Sequence, residues 1–140
     1  MAEFHNQIIP MLSYEHGPAA MDWLCKVFGF SERTRMLNDK GVLEHGELVF
    51  GDGLIMLATP TPDYQSPKHH RSTCIQAAKW NESPYIINGL LVYVDDVQQH
   101  FEHSKSAGAN LLSDIEIGGP GSRYSVEDLE GQRWMFMQKS

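Results

Sequence analysis

Apolar residues along this chain fall into runs of two kinds. Ile8, Ile9, Met11 and Leu12 form a short cluster that stops at Glu15-His16-Gly17, the pattern of a buried strand. From Pro18 the spacing changes to one helical face, Ala19, Ala20, Trp23, Leu24, Val27 and Phe28, with Pro in the first turn and Gly29 at the stop. Ser31–Leu37 and Val42–Phe50 read as strands around the turn Asn38-Asp39-Lys40-Gly41, and Gly51-Asp52-Gly53 leads into a strand over Leu54–Ala58. The opening segment therefore predicts the order β-α-β-β-β.

Between Thr59 and Pro84 the composition turns to prolines and polar residues with no sustained period, which predicts a long connection, with Ser72–Ala78 as an added strand. The first order then recurs. Ile87–Val94 reads as a strand, and a helix starts at Val97 with Val97, Phe101, Ser104 and Ala107 on one face and its stop at Gly108. Strands follow at Leu111–Ile117, Arg123–Glu127 and Gln132–Gln138, the last after the turn Asp128-Leu129-Glu130-Gly131. The predicted fold class is α+β, a single domain over residues 1–140 made of two tandem βαβββ modules, about 5–60 and 85–139, joined by a loop over 60–84. One four-stranded module cannot bury both faces of its sheet. Two side by side can curl into a curved mixed sheet, with helices on the convex side and a concave pocket on the other.

A length of 140 residues suits one ordinary domain. Eleven basic against eighteen acidic side chains give a net charge of −7, a field that repels phosphate backbones and anionic membranes. Neither nucleic acid nor a membrane is expected as a partner, and a cationic small molecule is favoured. MAEFHNQIIPML has no basic stretch ahead of an apolar run, and nothing approaches the length of a membrane span, so the expected location is cytoplasmic. Cys25 and Cys74 stand alone, which indicates neither a disulfide framework nor a cysteine zinc site.

The segments AAMDWLCKVFGF, LVYVDDVQQHFEHSKSAGA and SRYSVEDLEGQRWMFM, in this order and spacing, resemble the vicinal oxygen chelate superfamily. That superfamily includes glyoxalase I, extradiol dioxygenases, fosfomycin resistance enzymes and bleomycin-binding resistance proteins. Leu129 stands where the closing turn usually has Pro, a tolerable change because Pro there only presets φ. The resemblance implies a homodimer and a small-molecule site. It also places the four positions that hold a divalent metal in the family's enzymes at Ile8 or Ile9, Met56 or Leu57, Gly89 and Met135. None of these donates oxygen or imidazole, and thioethers suit a soft ion rather than the metals that chemistry requires. No metal and no other cofactor is expected.

Candidate chemistry then lies in side chains outside that set. His45 and Glu47, two apart on a strand, share a face and form either an acid/base couple or an exposed cross-strand pair. Arg133, Met135 and Met137 share one face of the last strand, with Trp134 and Phe136 on the other, packed beneath a helix. Arg133 either forks onto an anionic ligand group or bridges to Glu127 or Asp128. Tyr93, Met135 and Met56 supply an aromatic and two adaptable walls for an apolar or aromatic ligand, with core packing as the alternative. His100 and His103 are expected on a solvated helix surface and His69-His70 in a polar loop. Gly118-Gly119-Pro120-Gly121 reads as a hairpin turn rather than a phosphate loop, since no helix follows it. The expected function is small-molecule binding of the bleomycin-resistance type. The alternatives are a metal-dependent lyase or isomerase of glyoxalase type with ligands such as His5, His45 or Glu47, and metal-free acid/base catalysis.

Overall fold

The structure is a computed structural model and describes residues 7–83 and 88–139. His5 and the start of the predicted strand at Ile87 lie outside them. The chain divides into two compact units, Met1–Ser66 and Pro67–Ser140. The first contains strand β1 (Met11–Ser13), helix α1 (Gly17–Trp23) and strands β2 (Ser31–Leu37), β3 (Leu43–Phe50) and β4 (Gly53–Ala58). The second contains helices α2 (Pro67–Thr73) and α3 (Ile75–Asn81), strand β5 (Gly89–Val94), helix α4 (Val97–Ser106) and strands β6 (Asn110–Leu111), β7 (Arg123–Glu127) and β8 (Arg133–Gln138). Each unit has one mixed four-stranded sheet, in the orders β1-β4-β3-β2 and β5-β8-β7-β6. The tandem α+β modules are thus present, with the same strand order in both.

In the first unit α1 continues as a π-helical turn over Leu24–Phe28 and ends at Gly29, whose φ of 90° is the left-handed cap that glycine adopts at no steric cost. Its buried face is Ala20, Met21, Leu24, Val27 and Phe28, packed with Leu48 and Leu57 of the sheet. Strand β1 is shorter and more exposed than its apolar residues predict. Pro10 has no N–H to donate, so the ladder begins beyond it, and among the described residues the strand pairs only with β4. Ile8 is 88% and Met11 80% exposed, which corrects the reading of a buried strand.

In the second unit Asp96 caps α4 by accepting from the Gln99 backbone N–H at 3.0 Å. Val97, Phe101 and Ser104 of that helix pack on Tyr124, Val126, Trp134 and Phe136. The strand predicted over Leu111–Ile117 shrinks to two residues. Leu112 and Ser113 both donate backbone N–H groups to the Ser125 carbonyl, and the Ser113 hydroxyl accepts the Ser125 N–H at 2.9 Å. A side chain therefore takes a place in the ladder that backbone would fill, and pairing resumes only at the bridge Glu116–Arg123.

The connection between modules also differs from expectation, because Ser72–Ala78 belongs to two short helices and not to a strand. Long-range contacts from the second sheet hold them. The Lys68 backbone N–H donates to the Glu130 carbonyl at 3.0 Å, and Arg71 forks onto Glu127 with both bonds at 2.8 Å. The closing turn that receives Lys68 is built by Asp128, whose Oδ1 accepts from Glu130 and Gln132 N–H groups and whose Oδ2 accepts from the Trp134 indole at 3.1 Å. Gly131 completes it with φ of 86°, and a Cβ there would lie 2.7 Å from the Lys68 nitrogen.

Candidate functional site

Each sheet has one face packed by its helix and one face turned away from it. On the first unit's open face, register pairs Met11 with Met56 and Met56 with Glu47, so these side chains share a side. His45 lies on the same side, and its Nε2 is 2.7 Å from Glu47 Oε2. Arg33 Nε stands 3.5 Å from the other carboxylate oxygen. The acid/base spacing read from the sequence is therefore a real contact. The pair is half-buried, and Glu47 is shared between an imidazole and a guanidinium.

On the second unit's open face, register pairs Leu91 with Met135, Gly89 with Arg133, Ser125 with Met135 and Glu127 with Arg133. An open pocket of ≈ 200 Å³ lies here, with Leu91, Leu112, Ser125, Arg133 and Met135 on its walls. Tyr93 follows Leu91 on the same face of β5, beside Met137, and is 55% exposed. Arg133 and Met135 are thus brought together in one pocket, while Met56 belongs to the other unit.

Glu127, paired with Arg133 across the strands, belongs to a buried polar cluster beside this pocket. Glu127 is 2% exposed and accepts two bonds from Arg71 and one from Asn110 Nδ2 at 2.7 Å. Burial pushes its carboxyl pKa up, but the bonds from Arg71 and Asn110 and the charges of Arg71 and Arg133 outweigh this and hold it below the ordinary carboxylate value. Arg133 does not bridge to Glu127 or Asp128 through hydrogen bonds, as one reading of the sequence had it. Its guanidinium donates to the Ser83 carbonyl at 2.8 Å and to the Asn81 carbonyl, at the C-terminal end of α3. Burial lowers its pKa, and Glu127 only partly offsets this.

His100 also departs from expectation. It is not a solvated helix residue: its Nδ1 lies 2.6 Å from the Tyr124 hydroxyl and its ring stacks 4.1 Å from Phe136. Ser104 completes the contact at 2.9 Å from the same hydroxyl, and burial pushes the Tyr124 pKa up to about 12. Its apolar neighbours in sequence, which mark the buried side of α4, were the available signal for this. His103 is exposed, as read, and His69 and His70 lie on exposed positions of α2 rather than in a loop.

The donor set that a catalytic divalent metal needs can be tested by register. The strands place Met11, and not Ile8 or Ile9, beside Met56 in one unit, and Leu91, and not Gly89, beside Met135 in the other. Thioethers and an aliphatic chain do not fit a hard or borderline cation. Among the described residues no group of three or more His, Cys, Asp or Glu is placed to hold a metal ion.

The profile of the Glyoxalase/Bleomycin resistance protein/Dioxygenase superfamily matches residues 10–136. The chain belongs to this superfamily. Among solved structures, TioX from Micromonospora sp. ML1 is 28% identical, with a TM-score of 0.69 over 96% of this chain and 97% of that one. The antibiotic binding protein TnmS3 from Streptomyces sp. CB03234 is 15% identical, with a TM-score of 0.63 over 99% of this chain and 100% of that one. The bleomycin-binding protein of Streptomyces verticillus, solved with copper(II)-bleomycin, is 16% identical, with a TM-score of 0.60 over 100% of both chains. At these identities the last two bear on the fold alone. No curated protein matches the sequence. No helix among the described residues is long and apolar enough to cross a membrane.

Proposed function

We propose that this superfamily member is a small-molecule binding protein that captures a ligand on the open face of its second module. One observation carries the reading. Met135, at a strand position where the resemblance would put a metal ligand in an enzyme, stands beside Leu91 in the wall of a ≈ 200 Å³ pocket. A wall of this kind offers apolar contact and adaptable thioether packing, which hold a ligand without polarising it. Two proteins that share the fold, the antibiotic binding protein TnmS3 and the bleomycin-binding protein, are consistent with such a use. The aromatic ligand expected from the sequence fits this wall. The pocket wall carries Arg133 and, among the described residues, no carboxylate, which favours an aromatic over a cationic ligand.

The reading takes residues 1–140 as one domain of a cytoplasmic homodimer, for which exposed Ile8 and Met11 offer apolar contact area. Sedimentation analysis is expected to give twice the chain mass. The binding reading itself is tested by thermal shift against cationic glycopeptides, aromatics and carboxylates. Aromatic ligands well above their dissociation constant are expected to raise Tm by several degrees. No response from any class overturns the reading. A second reading, metal-free proton transfer by His45 oriented by Glu47, is favoured by their 2.7 Å contact. It predicts that the protein accelerates deuterium exchange into a weakly acidic ketone probe above the buffer rate in heavy water, an acceleration that His45→Gln abolishes.

A further inference from the structure

The charges around the pocket do not balance. Arg71 and Arg133 bring two positive charges to Glu127, which among the described residues is the acidic group that acts on Arg133. Glu127 is already committed to a bidentate fork from Arg71 and a third bond from Asn110. Asp128, also buried, spends its oxygens on two backbone N–H groups and the Trp134 indole. Arg133 is 7% exposed, and its hydrogen bonds go to two neutral carbonyls, those of Asn81 and Ser83. A guanidinium has five N–H donors, so most of this one's capacity is unused. Its Nε is buried with no hydrogen-bond partner among the described residues. A buried cation without its own counter-charge is costly, and a structure that retains one at a pocket wall is prepared for an anion from outside.

The remaining walls narrow the class of that anion. Leu91, Leu112 and Met135 are apolar, and Ser125 brings a hydroxyl. A volume of ≈ 200 Å³ is close to the roughly 150 Å³ apolar cavity known to accept one benzene ring. One guanidinium and one hydroxyl suit a monoanion and are too few to satisfy a phosphate dianion.

We infer that the pocket of the second module takes a monocyclic aromatic carboxylate, with its ring against Leu91, Leu112 and Met135 and its carboxylate on Arg133 and Ser125. This assignment rests on the binding-protein reading above and adds the ligand's charge and size. Burial, which disfavours the Arg133 cation in the free protein, is offset when the carboxylate arrives.

The test is a calorimetric titration of the full chain with benzoate and with benzamide, two ligands of the same shape that differ in charge. Benzoate is expected to bind at least about tenfold more tightly, the scale of one hydrogen-bonded charge pair. Arg133→Gln should bring the two ligands to similar affinity. Because Arg133 also holds the end of α3, that variant is paired with Met135→Trp, which fills the pocket and leaves the guanidinium in place. Met135→Trp is expected to abolish binding of both ligands. Equal affinity for benzoate and benzamide in the wild type overturns the charge assignment and leaves the binding reading standing. Benzoate binding that survives Met135→Trp overturns the location. Silence from these ligands and from the whole thermal-shift panel removes the reading on which the assignment rests.

Discussion

The two modules share a strand order and a helix-packed face, yet their open faces have been put to different uses. In the first, His45, Glu47 and Arg33 satisfy one another, and Met56 lies beside exposed Met11. In the second, Glu127 is consumed by Arg71 from the inter-module connection, so Arg133 is left with carbonyl partners beside an apolar pocket. The backbone repeat fixes where side chains point, and a few charged residues then decide whether a face is self-sufficient or open to a ligand. The contrast between the two faces can be broken at specific positions.

The largest effect is expected at Glu127. Glu127→Ala leaves the Arg71 guanidinium without its carboxylate partner and Asn110 without its acceptor, and denaturant unfolding should show a loss of about 3 kcal/mol. Because the folded-state pKa of Glu127 lies below its ordinary value of 4.5, its contribution is present above that pH and is lost as pH falls through the lower folded value. The variant should therefore lose part of the wild type's acid sensitivity in that window. Gly131→Ala comes next, at about 2 kcal/mol, since it combines a left-handed φ of 86° with a Cβ 2.7 Å from the Lys68 nitrogen. Its thermal unfolding should show the loss together with weaker docking of α2.

Tyr124→Phe is expected to cost about 1 kcal/mol at neutral pH by removing the hydroxyl shared by His100 and Ser104. The Tyr124 pKa rises from 10.0 to about 12, so the folded state holds the phenol proton more tightly. That stability is complete below pH 10.0, falls away as pH rises toward 12, and should be missing from the alkaline unfolding profile of the variant. The smallest effect is His45→Gln. This part-exposed pair should be worth only about 0.5 kcal/mol in a double-mutant cycle with Glu47→Gln.

What was legible in the sequence follows the same division. Local signals were sufficient for α1, α4, the hairpins and the turn at Asp128–Gly131, where proline, glycine and alternating apolar residues act within a few positions. The helices α2 and α3 were missed, because they are secured by Arg71 reaching Glu127 and Arg133 reaching Asn81 and Ser83, partners some fifty positions away. His100 was misplaced because its burial depends on Tyr124 and Phe136 of other strands. Arg133 and Met135 were recognised by strand parity, which is local. The partners of Arg133, which depend on tertiary contacts, were not.

The central claim is that ligand is held on the open face of the second module. The direct measurement is a titration of the full chain with benzoate while following the methyl carbon signals of its seven methionines. The Met135 methyl is expected to shift with saturation, while Met21, buried in the first core, and Met11 and Met56, on the first module's open face, stay in place. Saturable shifts at Met11 and Met56 with Met135 unmoved would contradict the account.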